Sequence, residues 1–218
     1  ADSEFSGTMV QAVMVFYGLA LALIAISVWE TYSEVARTVS EEATTIAALY
    51  RDVAGYPPPT RSRLEGELRD YVEYVIREAW PLQRAGKVPQ GGVERMNRFQ
   101  EVLLGFEPTT EGQKILHGEV LSAYNRMMQA RRARLDSVAI GLPSVLWVVI
   151  LLGAAISLAS SFFFHVEEVK LHAIQVTLLA TFVALVIFVI LALDRPFRGD
   201  LGIGPGSYQL VYDQLMKR

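Results

Sequence analysis

Apolar and polar residues are segregated into long blocks along this 218-residue chain. Three blocks are apolar over about twenty residues, which is the length of helix that crosses the hydrocarbon core of a bilayer. They cover residues 9–29, 142–164 and 173–193. The pattern therefore predicts three membrane-spanning helices.

The first apolar block continues into a polar stretch without an intervening proline or glycine. Apolar residues in that stretch recur at steps of three and four, as they do on one face of a helix. They are Tyr32, Val35, Ala36, Val39, Ala43, Ile46, Ala47, Tyr50 and Val53. This spacing predicts one continuous helix from about Met9 to about Ala54, half in lipid and half in water, with Trp29 at the headgroup level.

Proline and glycine divide the region between the first two apolar blocks into amphipathic segments. We expect one helix from Thr60 to Trp80-Pro81, a second from Val93 to Phe106, and a third from Thr110 to Ile140. The predicted fold class is therefore all-α, with long helices that extend from lipid into a helical bundle and with no sheet.

Charge asymmetry orients the predicted spans. Residues 30–137 hold fifteen Lys and Arg, the tail after residue 193 holds four, and the link 165–172 holds one. Because cytoplasmic flanks are enriched in Lys and Arg, the middle region and the C-terminus are predicted to be cytoplasmic. The predicted parts are a transmembrane helix with a short outer N-terminus (1–29), a cytoplasmic helical domain (30–137), a transmembrane hairpin (138–193) and a cytoplasmic tail (194–218).

Composition limits the possible functions. The chain is 52% hydrophobic with a formal net charge of -3, which fits an integral membrane protein and gives no reason to expect a nucleic-acid partner. It has no cysteine, so disulfides, thiolate catalysis and Cys-zinc sites are excluded. Sequence motifs of hydrolases, metalloproteases and nucleotide-binding enzymes are not found, and we expect neither enzymatic activity nor a cofactor.

Histidines are the candidate metal ligands of this sequence. His165, Glu168 and His172 would share one face if the link between the last two spans were helical. A turn between two spans is the simpler interpretation, and it makes them interfacial polar residues with no metal. His117 is expected to be a surface or interface histidine.

Charged residues near the membrane allow two interpretations. Arg131, Arg132 and Arg134 precede the second span and are expected to mark its cytoplasmic end and contact lipid headgroups. Alternatively they form an electropositive vestibule that concentrates anions. The adjacent carboxylates Glu41 and Glu42 are expected to be solvated.

One face of the first span is polar or small. It comprises Gln11, Val15, Gly18, Ala22 and Ala25. Small residues on a membrane helix commonly permit close helix packing. The alternative is a pore face, in which Gln11 offers an amide at one end and a narrow apolar constriction follows. Leu19 is adjacent and could replace Gly18 on that face.

Three short sequences resemble the bestrophin-like family of bacterial membrane proteins. They are FYGLALALIAISVWETY (16–32), ARRARL before LPSVLW, and LDRPFRGDLGIGP (193–205). Trp29 and Tyr32 match the family's aromatic turn into the cytoplasm, and Pro196, Phe197 and Asp200 match its PFG-D element. The acidic calcium clasp of animal bestrophins has no counterpart after Asp200, so the resemblance does not imply gating by calcium.

Bestrophins are pentameric chloride channels, and some bacterial members prefer cations. The resemblance therefore implies a homo-oligomeric, anion-conducting channel, with the pentamer as the expected state, in the bacterial inner membrane. Its partners would be copies of itself, membrane lipids and small ions. Alignment on WETY places the constriction on Gln11, Val15 and Leu19. Family members usually have a further membrane helix upstream, which would fit an outer N-terminus here.

Two other functions stay open at this point. The chain could be a non-conducting membrane scaffold, or an accessory subunit of a membrane complex, whose small-residue face packs against other helices. A metal-dependent enzyme would need a bound metal at His165 or His172.

Overall fold

The computed structural model describes residues 2–162 and 168–217, with side chains from residue 8 onwards. The described chain is helical and contains no strand, which confirms the predicted all-α class. Its helices are α1 (Asp2–Val53), α2 (Thr60–Tyr74), α3 (Trp80–Arg84), α4 (Gly92–Leu104), α5 (Glu111–Asp136), α6 (Ser144–Ser161), α7 (Val169–Leu193) and α8 (Gly206–Val211). Of these, α1, α6 and α7 are long and apolar enough to cross a membrane.

The chain folds into two compact units. One, here called the membrane unit, comprises Ala1–Tyr32 and Gly141–Arg195. The other, here called the helical domain, comprises Ser33–Ile140 and Pro196–Arg218. Helix α1 contributes residues to both. The boundaries of the membrane-spanning and cytoplasmic parts stay predictions.

Helix α1 is continuous over 52 residues, as the sequence predicted, although it begins at Asp2 rather than near Met9. Its amphipathic half buries one face in the core of the helical domain. The buried apolar residues of that face are Val35, Val39, Ala43, Ile46, Leu49 and Val53. Five of the nine predicted residues are therefore confirmed as buried and Leu49 is an addition, whereas Tyr32, Ala36, Ala47 and Tyr50 are half-buried.

Helices α2, α4 and α5 supply further side chains to this core. Each turns an apolar stripe inward, and removal of these side chains from water is the main favourable contribution to folding. The stripes consist of Leu64, Leu68, Tyr71 and Val72 in α2, Met96, Phe99 and Leu103 in α4, and Val120, Ala123 and Met127 in α5.

The second helix does not end at Trp80-Pro81, and that prediction was wrong. A π-helical turn, Val75–Ala79, follows α2, and the Trp80 N–H bonds to the Val75 carbonyl. Pro81 then lies in the first turn of α3, where a backbone N–H has no helical partner to lose. The π turn thus lets the chain stay helical through the proline, and it buries Trp80.

The other predicted helices are confirmed with shifted ends. Helix α5 begins with a reciprocal cap, in which Thr110 accepts from the Gln113 N–H at 3.2 Å and Gln113 accepts from the Thr110 N–H at 3.4 Å. It gives way to a short 3₁₀ turn at Ser137–Ala139 before the predicted end at Ile140. Helix α7 begins at Val169, earlier than predicted.

The membrane unit has its own small core, formed by Leu21 and Val28 of α1 with Ile150 of α6 and Ile190 of α7. Tyr17 lies at one end of this contact, and its hydroxyl donates to the Ile150 carbonyl at 2.8 Å.

Two further contacts stabilise the packing of the helices in the membrane unit. A Cβ on Gly153 would lie 2.2 Å from Tyr17 Cε2, so the tyrosine ring occupies the space that a side chain would need. The Asp194 carboxylate at the end of α7 accepts a hydrogen bond from the Leu142 N–H ahead of α6. These contacts fix α6 against α1 and against α7.

We expect Gly153→Ala to destabilise the membrane unit by about 1–3 kcal/mol, because the added methyl group overlaps the Tyr17 ring. Thermal unfolding of the detergent-solubilised protein is the measurement. Gly18→Ala is the matched control, since a Cβ on Gly18 would meet no atom of this chain within 4 Å. Equal melting temperatures for the two variants would contradict the packing described here.

Candidate functional site

The residues predicted to line a pore lie on the exposed side of α1. Val15 is 64% exposed and Leu19 is 56% exposed, and Gln11 is exposed as well. The opposite side of the helix packs on α6 and α7 through Tyr17, Leu21, Ile24 and Val28. Among the described residues of the membrane unit, therefore, no other helix covers the three predicted residues.

The small residues of the same face are also uncovered. A Cβ on Gly18 would meet nothing within 4 Å, and Ala22 is exposed. Ala25 is the exception, because it packs at the edge of the core of the membrane unit. The face from Gln11 to Ala22, here called the open face of α1, is thus free for another molecule or for a pore.

A buried ion pair lies in the core of the helical domain. Glu42 of α1 is 0% exposed and Arg134 of α5 is 1% exposed, and Arg134 Nε lies 2.6 Å from Glu42 Oε2. The Tyr71 hydroxyl donates to Glu42 Oε1 at 2.6 Å. Arg134 Nη1 donates to Gln83 Oε1 at 2.8 Å. One carboxylate and one guanidinium therefore join α1, α2, α3 and α5.

Electrostatics fix the protonation states of the arginine and of two tyrosines, Tyr71 and Tyr208, around this ion pair. Burial, the largest single influence, would lower the pKa of Arg134, but the combined effect of Glu42, Tyr208 and Tyr71 raises the pKa well above its ordinary value. Burial also raises the pKa of Tyr71 and of Tyr208, and the Glu42 charge adds to both shifts. The arginine therefore stays charged and the two tyrosines stay neutral.

These positions correct two sequence interpretations. Glu42 is not a solvated charge like its neighbour Glu41, because it lies on the buried face of α1. Arg131 and Arg134 do not contact headgroups or line a vestibule, because they are only 7% and 1% exposed. Only Arg132 of that group is exposed. The sequence contained a signal for the burial of Glu42, which follows Val39 by three positions on the apolar stripe.

The PFG-D-like element anchors the tail to α3. Phe197 is buried and packs edge-on against Trp80, with 5.8 Å between ring centroids. The Trp80 indole N–H donates to the Ile203 carbonyl at 3.1 Å. Gly86 has a φ of 73°, and Arg198 lies where its side chain would be. Within this chain the element therefore has a structural role.

His117 is half-buried, which refines its expected surface position. Its Nδ1 lies 2.8 Å from the Tyr56 hydroxyl, and its ring packs on Phe106. Burial raises the pKa of Tyr56 to about 12, so the tyrosine is a neutral partner at physiological pH.

Metal ligands are not assembled in the part of the chain that the structure describes, where no group of three His, Asp or Glu side chains could hold an ion. His165 lies outside the described residues. His172 faces Phe162, with 6.4 Å between ring centroids.

Comparison with known proteins agrees with the architecture. Helices α1, α6 and α7 define an all-α integral membrane protein. Residues 2–208 match the family model described as the bestrophin-like domain, so the chain belongs to the bestrophin-like family. Neither a curated protein nor a solved structure gives a significant match.

Proposed function

We propose that this protein is a homo-oligomeric ion channel that conducts anions through a pore lined by the first span. The observation that carries the proposal is the open face of α1. It presents the Gln11 amide and the bare Gly18 backbone, which no other helix covers in the described part of the membrane unit. Membership of the bestrophin-like family supports the same function.

A polar side chain that faces lipid is costly, because hydrocarbon offers its amide no hydrogen-bond partner. A symmetric ring of protomers removes this cost, since every copy turns the same face to a common axis and to water. Gln11 then forms a ring of amides at one end of the pore. Val15 and Leu19 form an apolar constriction next to it, which conducts when it is wetted.

Orientation follows from the distribution of Lys and Arg in the sequence. The helical domain and the tail lie in the cytoplasm on this proposal, and the membrane is the inner membrane of a bacterium. The pentamer of bestrophins is the proposed oligomer.

Reconstitution into liposomes tests conduction directly. Chloride-loaded vesicles that contain the purified oligomer should release chloride faster than chloride-loaded vesicles without protein, when a counter-ion path is supplied. Separate arms with sodium and potassium gradients establish selectivity. Absence of flux for every small ion, from an oligomer shown to be folded and inserted, would refute the channel.

A non-conducting scaffold is the second candidate, and the uncovered Gly18 and Ala22 favour it because small residues permit close helix packing. The two candidates differ in where Gln11 lies. Imaging of the oligomer that shows Gln11 around a central axis supports the channel, whereas Gln11 packed against a neighbouring helix supports the scaffold.

A further inference from the structure

Exposed apolar and basic side chains lie side by side on the helical domain, in α3, in the loop after it and in the tail after α7. They are Leu82, Arg84, Lys87, Val88, Arg198 and Leu201, here called the basic apolar patch. Its three apolar members are 39%, 45% and 58% exposed. The Lys87 N–H bonds to the Leu82 carbonyl at 2.9 Å, so the loop folds back on α3. Exposed apolar side chains rimmed by charged ones are typical of an interaction surface.

Direct contacts hold the loop and the tail together. Arg84 Nη2 donates to the Gly199 carbonyl at 3.1 Å. The Arg198 guanidinium occupies the space where Gly86 would carry a side chain. The patch is therefore continuous, although its two segments lie 115 residues apart in the sequence.

The patch carries a net positive charge. Its three basic side chains adjoin one carboxylate, that of Asp200, whose Oδ1 lies 3.7 Å from Arg84 Nη2. Within the described part of the chain, Lys87 and Arg198 belong to no ion pair. Three basic groups against one acidic group leave two positive charges uncompensated, so a negatively charged partner is complementary to the patch.

The tail segment of the patch follows a membrane span closely along the chain. Arg198 comes five residues after Leu193, the last residue of α7, so the covalent chain keeps the two within about 18 Å. Helix α7 has 25 residues, and its length of about 37 Å exceeds the roughly 30 Å of a hydrocarbon core. Where α7 crosses the membrane, the segment that follows it is therefore within reach of the lipid headgroups.

We propose that the basic apolar patch docks on the headgroup layer of anionic phospholipids. Leu82, Val88 and Leu201 enter the boundary between headgroups and acyl chains, where apolar area leaves water. The basic side chains contact lipid phosphates, and each one near an anionic surface favours docking about fivefold. The proposal rests on α7 crossing the membrane and does not depend on ion conduction.

Cysteine labelling of the full chain tests the docking, since the native sequence has no cysteine. Val88→Cys protein is placed in nanodiscs of phosphatidylcholine, or of an equal mixture of phosphatidylcholine and phosphatidylglycerol. An uncharged, water-soluble maleimide should label it about fivefold or more slowly in the anionic nanodiscs. Ile115→Cys is the matched control, because Ile115 is 69% exposed in the same domain and lies outside the patch. Its labelling rate should be equal in the two lipids.

Charge variants made in Val88→Cys test the basic residues. The triple variant Arg84→Gln, Lys87→Gln and Arg198→Gln should label in anionic nanodiscs as fast as in neutral ones. Since Arg84 and Arg198 also hold the loop and the tail together, Lys87→Gln alone tests the charge if the triple variant does not fold. It should raise the labelling rate in anionic nanodiscs about fivefold.

A second triple variant controls for the change in total charge. It removes three exposed arginines of the helical domain outside the patch, through Arg51→Gln, Arg63→Gln and Arg126→Gln. Its labelling in anionic nanodiscs should stay slow. Inorganic phosphate added to neutral nanodiscs should not slow the labelling of Val88→Cys, because a free anion leaves the apolar side chains uncovered.

Four results would overturn the proposal. Fast labelling of Val88→Cys in both lipids would show an exposed patch, and slow labelling in both would show a patch covered by protein, such as a second copy. Slow labelling in anionic nanodiscs that persists in Lys87→Gln and in the patch triple variant would remove the basic residues from the interaction. Slowing by inorganic phosphate would show that lipid is not required. Ion flux enters none of these measurements, so the channel and the docking are tested separately.

Discussion

Glu42→Ala should destabilise the helical domain by about 3–5 kcal/mol, because it leaves the Arg134 guanidinium buried without its carboxylate. The Tyr71 hydroxyl loses its acceptor in the same variant. Chemical denaturation of the detergent-solubilised protein, followed by far-UV circular dichroism, gives the change in the free energy of unfolding.

Glu41→Ala is the matched control for this prediction. Glu41 is the preceding residue of the same helix and pairs with Arg37 at the surface, where its side chain is 52% exposed. Its loss should leave the denaturation midpoint nearly unchanged. Equal shifts of the denaturation midpoint in Glu42→Ala and Glu41→Ala would show that the buried ion pair contributes no more to stability than the exposed one.

A double variant distinguishes the interaction between Glu42 and Arg134 from the separate contribution of each side chain. Glu42→Leu with Arg134→Leu removes both charges, so no buried ion is left unpaired. We expect its loss of free energy of unfolding to be smaller than the sum of the losses in Glu42→Leu and Arg134→Leu measured separately, since both single changes leave one buried charge unpaired. Strict additivity would mean that the two side chains are not coupled.

Val15→Ala with Leu19→Ala should raise the single-channel conductance severalfold. Both side chains lie on the open face of α1, at 64% and 56% exposure. If they form the constriction, shorter side chains widen it and admit water, which an apolar ring excludes. Planar-bilayer recording of reconstituted protein measures the effect.

The rotation of α1 about its axis decides which residues reach that constriction. Successive residues differ by about 100° around a helix, so Phe16→Ala tests the adjacent direction. Phe16 is 72% exposed and is expected to face lipid. Conductance that rises in Phe16→Ala and stays constant in the double variant would move the pore lining to Phe16.

The sequence predicted α1 well because its signals are local. A charge-free block followed by steps of three and four, with no proline, leaves the helix as the favourable conformation. Trp80-Pro81 shows where local reasoning fails. A proline disrupts a helix through its missing N–H and through the clash of its ring with the preceding turn. The π turn at Val75–Ala79 places Pro81 in a first turn, where proline is tolerated.

The pairing of Glu42 with Arg134 could not be predicted for a different reason. Glu42 and Arg134 are 92 residues apart, and spacing along a chain does not indicate which distant charges will meet. Glu42 was expected to be solvated, and Arg134 was expected to contact lipid headgroups or to line a vestibule, because a charged residue is rarely buried without a partner. The partner became visible only when α1 and α5 packed together.

The candidate pore residues belong to a third case. Their exposure on α1 results from the packing of one chain, in which Tyr17, Leu21 and Val28 face α6 and α7. Whether exposed residues face an axis, lipid or a partner depends on contacts between copies. A pattern within one helix contains no information about those contacts.

The hydrogen bond from Leu142 to Asp194 has a consequence for biosynthesis. The acceptor lies 52 residues after the donor, so the ribosome makes the start of α6 well before the carboxylate that bonds to it. At about 5–20 residues per second this interval lasts roughly 3–10 s. The start of α6 therefore lacks this hydrogen bond until α7 has been synthesised, and the two helices are expected to reach their final packing in the membrane as a pair.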